Sequence, residues 1–272
     1  MNQYLQQLSA LAIDAGRSIM KIYAQDFAVY TKQDLSPVTE ADQLAEQIIV
    51  AGLQKLTPHI PIIAEEMAAE GRLPNLTGKL DQAFYLVDPL DGTKEFINKR
   101  DEFTVNIALI DQNKAIIGVV FAPALSLLYV ADVAKNIAIM YKLNDDFNLA
   151  KPVSETDLTA KNSANKPYTI LASRSHMNVA TEQFIDQAKA QHAGLEVMHI
   201  GSSLKLCLLA QGVADIYPRF GPTMEWDIAA GHAILSAANG QLTTDTGDDF
   251  LYGDQNNQFR NGNFIAHAYK QI

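Results

Sequence analysis

Twice in the first third of the chain, an apolar run of strand length ends in carboxylates, and no other feature restricts the fold as much. The runs span residues 60–64 and 83–87; Glu65 and Glu66 follow the first, and Asp88, Pro89, Leu90 and Asp91 follow the second. Short apolar runs bounded by polar residues read as buried strands. A buried strand with acidic groups at its C-terminal end gathers like charge, which must be compensated by cations or hydrogen-bond donors. In Leu86-Val87-Asp88-Pro89-Leu90-Asp91-Gly92-Thr93, Pro89 fixes one backbone angle and Gly92 permits a tight turn, so both aspartates converge. A hard cation such as magnesium takes oxygen ligands, which Asp88, Asp91 and the Leu90 carbonyl could supply. Asp-Pro and Asp-Gly are also common turn dipeptides, so a surface β-turn fits this stretch alone equally well. Glu65-Glu66 can likewise be an exposed pair opening a loop. Asp227, in Trp226-Asp227-Ile228-Ala229-Ala230-Gly231, can be a helix cap worth ~1 kcal/mol.

The rest of the chain supplies elements on which such a site could be built. Leu5, Leu8, Ala12, Ala15, Ile19 and Ile22 form the stripe of an amphipathic helix. A second helix is predicted from Thr39, with Asp42 three residues later as its capping partner, to Leu56 before Pro58; its inner face would hold Leu44, Ile48, Ile49 and Leu53. The polar stretch 70–81, with Gly71, Pro74 and Gly78, reads as a mobile surface loop. Alternation over 103–109 and apolar runs at 115–121, 127–131 and 137–141 predict consecutive strands, hence an antiparallel sheet. The polar segment 144–167 is taken as a boundary between an N-terminal metal-binding lobe, 1–150, and a C-terminal α/β lobe, 151–272, that completes the site. Beyond it, strands at 168–172, 196–200 and 214–218 alternate with helices at 179–191 and 202–211. A last helix, 226–238, is closed by Asn239 and Gly240.

Composition narrows the partners. A formal net charge of −10 disfavours sequence-independent binding of DNA or RNA, which depends on neutralising many phosphates. A small anion carried with its own metal ions is a different case. The single cysteine, Cys207, excludes an internal disulfide and reads as a packing residue beside Leu204 and Leu208. No apolar run approaches the ~20 residues of a membrane span, and the N-terminus lacks a signal-peptide layout. A cytoplasmic protein is therefore expected, with any association at the inner membrane surface peripheral.

Taken together and in order, the acidic pair at 65–66, the Asp-Pro-Leu-Asp-Gly-Thr run at 88–93 and the Trp-Asp-x-Ala-Ala-Gly start at 226–231 resemble the inositol monophosphatase superfamily of magnesium-dependent, lithium-sensitive phosphatases. The resemblance covers almost the whole chain. Within that superfamily, segments 91–96 and 102–110 look most like the bacterial 3′(2′),5′-bisphosphate nucleotidases. Ser-Pro-Val-Thr-x-Ala-Asp at 36–42, Ser-Arg-Ser-His at 173–176, Gly-Ser-Ser-Leu-Lys at 201–205 and Tyr-Pro-Arg-Phe-Gly-Pro-Thr at 217–223 strengthen that narrower likeness. Ala64 and Met67 depart from the usual pattern beside the acidic pair but remove no ligand.

The resemblance implies an α+β fold, a layered αβαβα sandwich of the sugar-phosphatase type. It implies two or three Mg2+ ions: Glu65, Asp88 and the Leu90 carbonyl at one, Asp88, Asp91 and Asp227 at another. It assigns Asp42 and Thr93 to activation of the attacking water, with Glu65 contributing through the metal-water shell. Gly92 joins the ligands and Thr93 in the substrate site, and Lys205 and Arg219 are candidates for a second phosphate. The implied substrate is adenosine 3′,5′-bisphosphate, with 3′-phosphoadenylyl sulfate as a second one, in clearance of the bisphosphate left by sulfate assimilation. The competing readings are an inositol phosphate or fructose 1,6-bisphosphate phosphatase of the same fold, and a non-catalytic nucleotide-binding regulator. No histidine is required, and all six, His176 and His232 included, read as surface or packing residues. The oligomeric state is left open.

Overall fold

A computed structural model describes residues 1–32, 37–74, 82–159 and 166–270. Ser36 of the Ser-Pro-Val-Thr motif, 75–81 of the expected loop and 160–165 of the expected boundary lie outside the described residues. Helix α1 (Gln3–Tyr23) begins at Asn2, whose side chain accepts the Leu5 N–H at 2.8 Å. A hairpin of β1 (Val29–Thr31) and β2 (Pro37–Thr39) leads into α2 (Glu40–Leu56). Next come β3 (Ile62–Ala64), α3 (Glu65–Ala69), β4 (Phe84–Asp91) and α4 (Thr93–Ile97). The meander continues through β5 (Thr104–Asp111), β6 (Lys114–Ala122), β7 (Leu127–Asp132), β8 (Ile137–Lys142) and β9 (Ser154–Asp157). The remainder comprises β10 (Thr169–Ser173), α5 (Val179–Gln191), β11 (Glu196–Ile200), α6 (Leu204–Ala210), β12 (Ile216–Arg219), α7 (Glu225–Ala237), β13 (Gln241–Thr244) and β14 (Phe264–His267).

These elements stack in five layers, as the αβαβα expectation requires. Strands β3 to β9 lie in sequence order in a seven-stranded sheet, antiparallel except for the parallel β3–β4 pair. Period-two alternation divides its strands between two cores: Tyr85 and Val87 pack with α1 and α2, while Phe84 and Leu86 pack with α6 and α7. The second sheet, ordered β11-β10-β12-β14-β13, covers the far side of α6 and α7 with Phe264 and Ala266. Its outer face is covered by α5 through Ile185 against Ile170, Ala172 and Ile216. Helix α7 lies close on β6 because residue 118 is glycine; a Cβ there would stand 2.2 Å from the Ala230 carbonyl oxygen.

Several expectations are corrected. Leu44 is exposed, and the buried face of α2 instead carries Ala41, Asp42, Ala45, Glu46, Ile49 and Leu53. Two acids can occupy an inward face because each has partners: Glu46 Oε2 accepts the Glu66 and Met67 N–H groups at 2.7 and 3.2 Å. Glu65 opens helix α3 rather than a loop. Within the polar segment 144–167, read without any strand, β9 pairs with β8. Among the described residues no helix is long and apolar enough to cross a membrane.

Candidate active site

Sheet register creates the site. In the parallel β3–β4 pair Ala64 stands beside Val87, so the residues that follow, Glu65 at the start of α3 and Asp88 within β4, are brought side by side. The antiparallel β4–β5 register shifts between Asp88 and Asp91, which carries Asp91 to the same end. There Gly92 takes φ +90°, and a Cβ on it would meet the Glu102 carbonyl at 3.1 Å; glycine is required on both counts. Asp227 arrives from the first turn of α7, where its Oδ2 accepts the Met224 N–H at 2.9 Å.

All the candidate residues except Asp42 line one cavity of about 420 Å³: Glu65, Asp88, Leu90, Asp91, Gly92, Thr93, Lys205, Arg219 and Asp227. Asp42 stands behind it and reaches it through Thr93, whose hydroxyl lies 3.1 Å from Asp42 Oδ1 and 3.2 Å from the Leu90 carbonyl. The other carboxylate oxygen of Asp42 is filled by the Thr39 N–H and hydroxyl at 2.8 and 2.7 Å. Burial raises the Asp42 pKa to about 6 against the lowering effect of those two bonds.

The acidic groups crowd one another. Burial, then the charges of Glu65, Asp91 and Asp227, push the Asp88 pKa well up. Asp227 is pushed well up by burial and by Asp91 and Glu65. Asp91 rises to about 6, burial outweighing Lys205 and the Ser203 N–H that donates to it at 2.5 Å. Lys32 partly compensates this charge, its Nζ lying 2.7 Å from Glu65 and 2.6 Å from Glu66. Among the described residues no three carboxylate, histidine or cysteine side chains are grouped as a finished metal cage. The donor set nevertheless fits a hard divalent cation. It is all oxygen, it sits at one cavity, and its most buried member, Asp88, carries unrelieved repulsion from three neighbours.

That crowding predicts an unusual pH response. Glu66, raised to about 7 by burial and Glu65, and Glu225, raised to about 7 by burial, join Asp88 and Asp227 in favouring their protonated forms in the fold. A carboxyl whose pKa is raised on folding stabilises the fold when protonated and loses that contribution as pH rises through the folded value. His176 and His232, both lowered to about 4 by burial, oppose this only below the ordinary histidine value of about 6.5. In chelator, the melting temperature should therefore fall between pH ~6.5 and pH ~8, by roughly 2–4 °C for each kcal/mol of stability lost. Magnesium should flatten the response, and a melting temperature that rises with pH in chelator would contradict the crowding.

The basic groups come from the second sheet. Lys205 is buried, donates to the Ile200 carbonyl at 3.3 Å and to Ser202, and lies 5.2 Å from the Tyr217 ring centre. Burial lowers its pKa to about 8 although Asp91 raises it. Arg219 is also buried, held by the Gly221 and Pro222 carbonyls at 3.2 and 2.8 Å. His176, expected on the surface or in packing, lines the cavity 3.4 Å from Lys94 Nζ. Lys32 was missed because it carries no local pattern, its partners lying 33 and 34 positions away; His176 belongs to the 173–176 motif, but only folding brings it to the cavity and to Lys94, 82 positions away.

A family model described as the inositol monophosphatase family matches residues 1–271. The chain is 41% identical over 240 residues to a 3′(2′),5′-bisphosphate nucleotidase CysQ of Escherichia coli O157:H7, covering 88% of this chain and 89% of the relative. It is 39% identical over 267 residues to the CysQ of Buchnera aphidicola, covering 97% and 93%. Among solved structures, CysQ from Bacteroides thetaiotaomicron, described as a bacterial member of the inositol monophosphatase family, superposes with a TM-score of 0.81. That pair is 34% identical over 98% of both chains.

Proposed function

The chain belongs to the inositol monophosphatase family, and on that premise we propose that it is a magnesium-dependent 3′(2′),5′-bisphosphate nucleotidase, hydrolysing adenosine 3′,5′-bisphosphate to AMP and phosphate. The observation that carries the reading is a single cavity that holds both an acidic group, Glu65, Asp88, Asp91 and Asp227, and two buried cations, Lys205 and Arg219. An enzyme for a single small phosphate needs only the first set; a substrate with two phosphates uses both. The sulfated relative, 3′-phosphoadenylyl sulfate, offers the same two ends, and the reaction is placed in the cytoplasm as part of sulfur assimilation. The division into residues 1–150 and 151–272 belongs to the proposal as well: most of the acidic ligands come from the first part, and Lys205, Arg219 and Asp227 from the second.

Glu65, Asp88, Asp91, Asp227 and the Leu90 carbonyl would hold two or three magnesium ions. When bound, magnesium neutralises the phosphate and polarises the attacking water and leaving oxygen. The protein's own contribution is proton handling and orientation. Thr93 is placed to orient the water through its hydroxyl and to pass a proton to Asp42 Oδ1, which it already faces at 3.1 Å. With a pKa raised to about 6, Asp42 is a better acceptor near neutral pH than an exposed aspartate. Thr39 fixes the carboxylate by occupying its second oxygen, so only one oxygen remains for catalysis. Gly92 gives the turn its positive φ, where a Cβ would crowd the Glu102 carbonyl at 3.1 Å.

Arg219→Met tests the assignment of the remote phosphate. A hydrogen bond to a charged group contributes ~1.5–3 kcal/mol, so kcat/KM for adenosine 3′,5′-bisphosphate should fall roughly tenfold to a hundredfold. Hydrolysis of a small monophosphate should change little. Equal falls on both substrates would make Arg219 a structural residue, and no fall on either would remove it from the site.

A further inference from the structure

Glu102, between α4 and β5, is outside the acidic group and has no part in the chemistry above, yet its carboxylate is the meeting point of two loops. Its Oε1 accepts Arg174 Nη2 at 2.7 Å, and its Oε2 accepts Arg174 Nε at 3.0 Å and the Gly201 N–H at 2.8 Å. Arg174 follows β10 and Gly201 follows β11, so one side chain ties both loops to the segment that continues from the Asp88–Thr93 turn. Two further bonds, one backbone and one side-chain, reinforce the tie. Arg174 N–H reaches the Ile200 carbonyl at 3.3 Å, and Ser175 donates to Glu95 at 2.6 Å. The fit is close, since a Cβ at Gly201 would lie 3.0 Å from the Glu102 carbonyl and 2.6 Å from Glu95.

What these loops carry gives the tie its meaning. The Ile200 and Ser202 carbonyls hold the Lys205 ammonium, and Ser203 N–H donates to Asp91. The 173–176 loop brings His176 to the cavity. We infer that Glu102 is a positioning residue that holds the remote-phosphate side of the cavity against the acidic side, and that Arg174 serves this clamp rather than the substrate. The inference rests on the reading that the cavity accepts a second phosphate. Arg174 is the exposed, motif-borne arginine that would otherwise be the natural anion ligand. The Nε–Nη2 edge of its guanidinium is already forked onto the Glu102 carboxylate, and a phosphate taking that edge would have to displace it.

Glu102→Gln is nearly isosteric but leaves one acceptor oxygen where Arg174 and Gly201 use two. The Michaelis constant for adenosine 3′,5′-bisphosphate should rise roughly tenfold while kcat changes less than about threefold. Amide exchange in peptides covering 173–177 and 199–204 should quicken, with α1 and α2 unaffected. Arg174→Met should give a smaller rise in the Michaelis constant, and the double variant should be no worse than Glu102→Gln, because both act through one carboxylate. Unchanged exchange in both loops would overturn the clamp. So would Arg174→Met proving more damaging than Glu102→Gln, since Arg174 would then meet the substrate itself. Should the parent protein show no preference for a two-phosphate substrate, the nucleotidase reading fails; the exchange comparison still decides the clamp.

Discussion

Asp227→Asn and Asp91→Asn should each lower phosphate release by roughly a thousandfold or more while leaving the protein folded. Each tenfold in rate is 1.36 kcal/mol, and a bound metal's charge stabilisation is worth several kcal/mol, so losing a ligand's charge reaches about three decades. The fold survives because asparagine keeps the acceptor that each position uses locally. At 227 the side-chain oxygen can still take the Met224 N–H, and at 91 it can still take the Ser203 N–H. The same change removes one of the mutually repelling buried charges, so both variants should melt above the parent in chelator. Rates of phosphate release and melting curves on the same preparations check both halves. Turnover near that of the parent would remove that residue from the ligand set.

Chelation should have an effect of similar size and be reversible. With excess chelator, hydrolysis should fall below roughly one part in a thousand, and magnesium should restore it. Calcium should not substitute and should inhibit, because its irregular, higher coordination does not impose the octahedral arrangement that magnesium requires. A stability readout accompanies the kinetic one. A cation that binds only the folded chain stabilises it by about 2.7 kcal/mol at a hundred times its dissociation constant. It would also relieve the repulsion centred on Asp88. Magnesium should thus raise the melting temperature of the parent protein and raise it much less in Asp227→Asn. Full activity in chelator would end the metal-based account.

The acidic end of the site was readable along the chain because its signals are local. A strand run, a Pro-bearing turn and a glycine that must take positive φ lie within the eight residues 86–93, and the capping pair Thr39–Asp42 is three positions apart. Element order showed the antiparallel meander and the helix–strand alternation after it, while the layered arrangement was implied by the family resemblance. What escaped depends on distant partners. The inward face of α2 was misjudged because hydrophobicity cannot show that Asp42 and Glu46 are satisfied by residues far along the chain. The polar strand β9 is exposed along its length and exists through pairing with β8. Strands β13 and β14 went unread for a related reason, being only four residues each and held by their neighbours in the second sheet. Lys32 carries no pattern of its own, and Glu102 opens the 102–110 segment without any partner in it; only folding brings the first to Glu65 and the second to Gly201, 99 positions away.

The central claim is that this cavity is built for a small molecule with two phosphates, one cleaved at the acidic group and one held by Lys205 and Arg219. The most direct measurement is initial phosphate release, in magnesium, from adenosine 3′,5′-bisphosphate, inositol 1-phosphate and fructose 1,6-bisphosphate, compared as kcat/KM. The account predicts that the nucleotide leads inositol 1-phosphate, which lacks a second phosphate, by roughly tenfold to a hundredfold, which is what one charged contact at the remote phosphate provides. A specificity constant for inositol 1-phosphate equal to or above that for the nucleotide would contradict it.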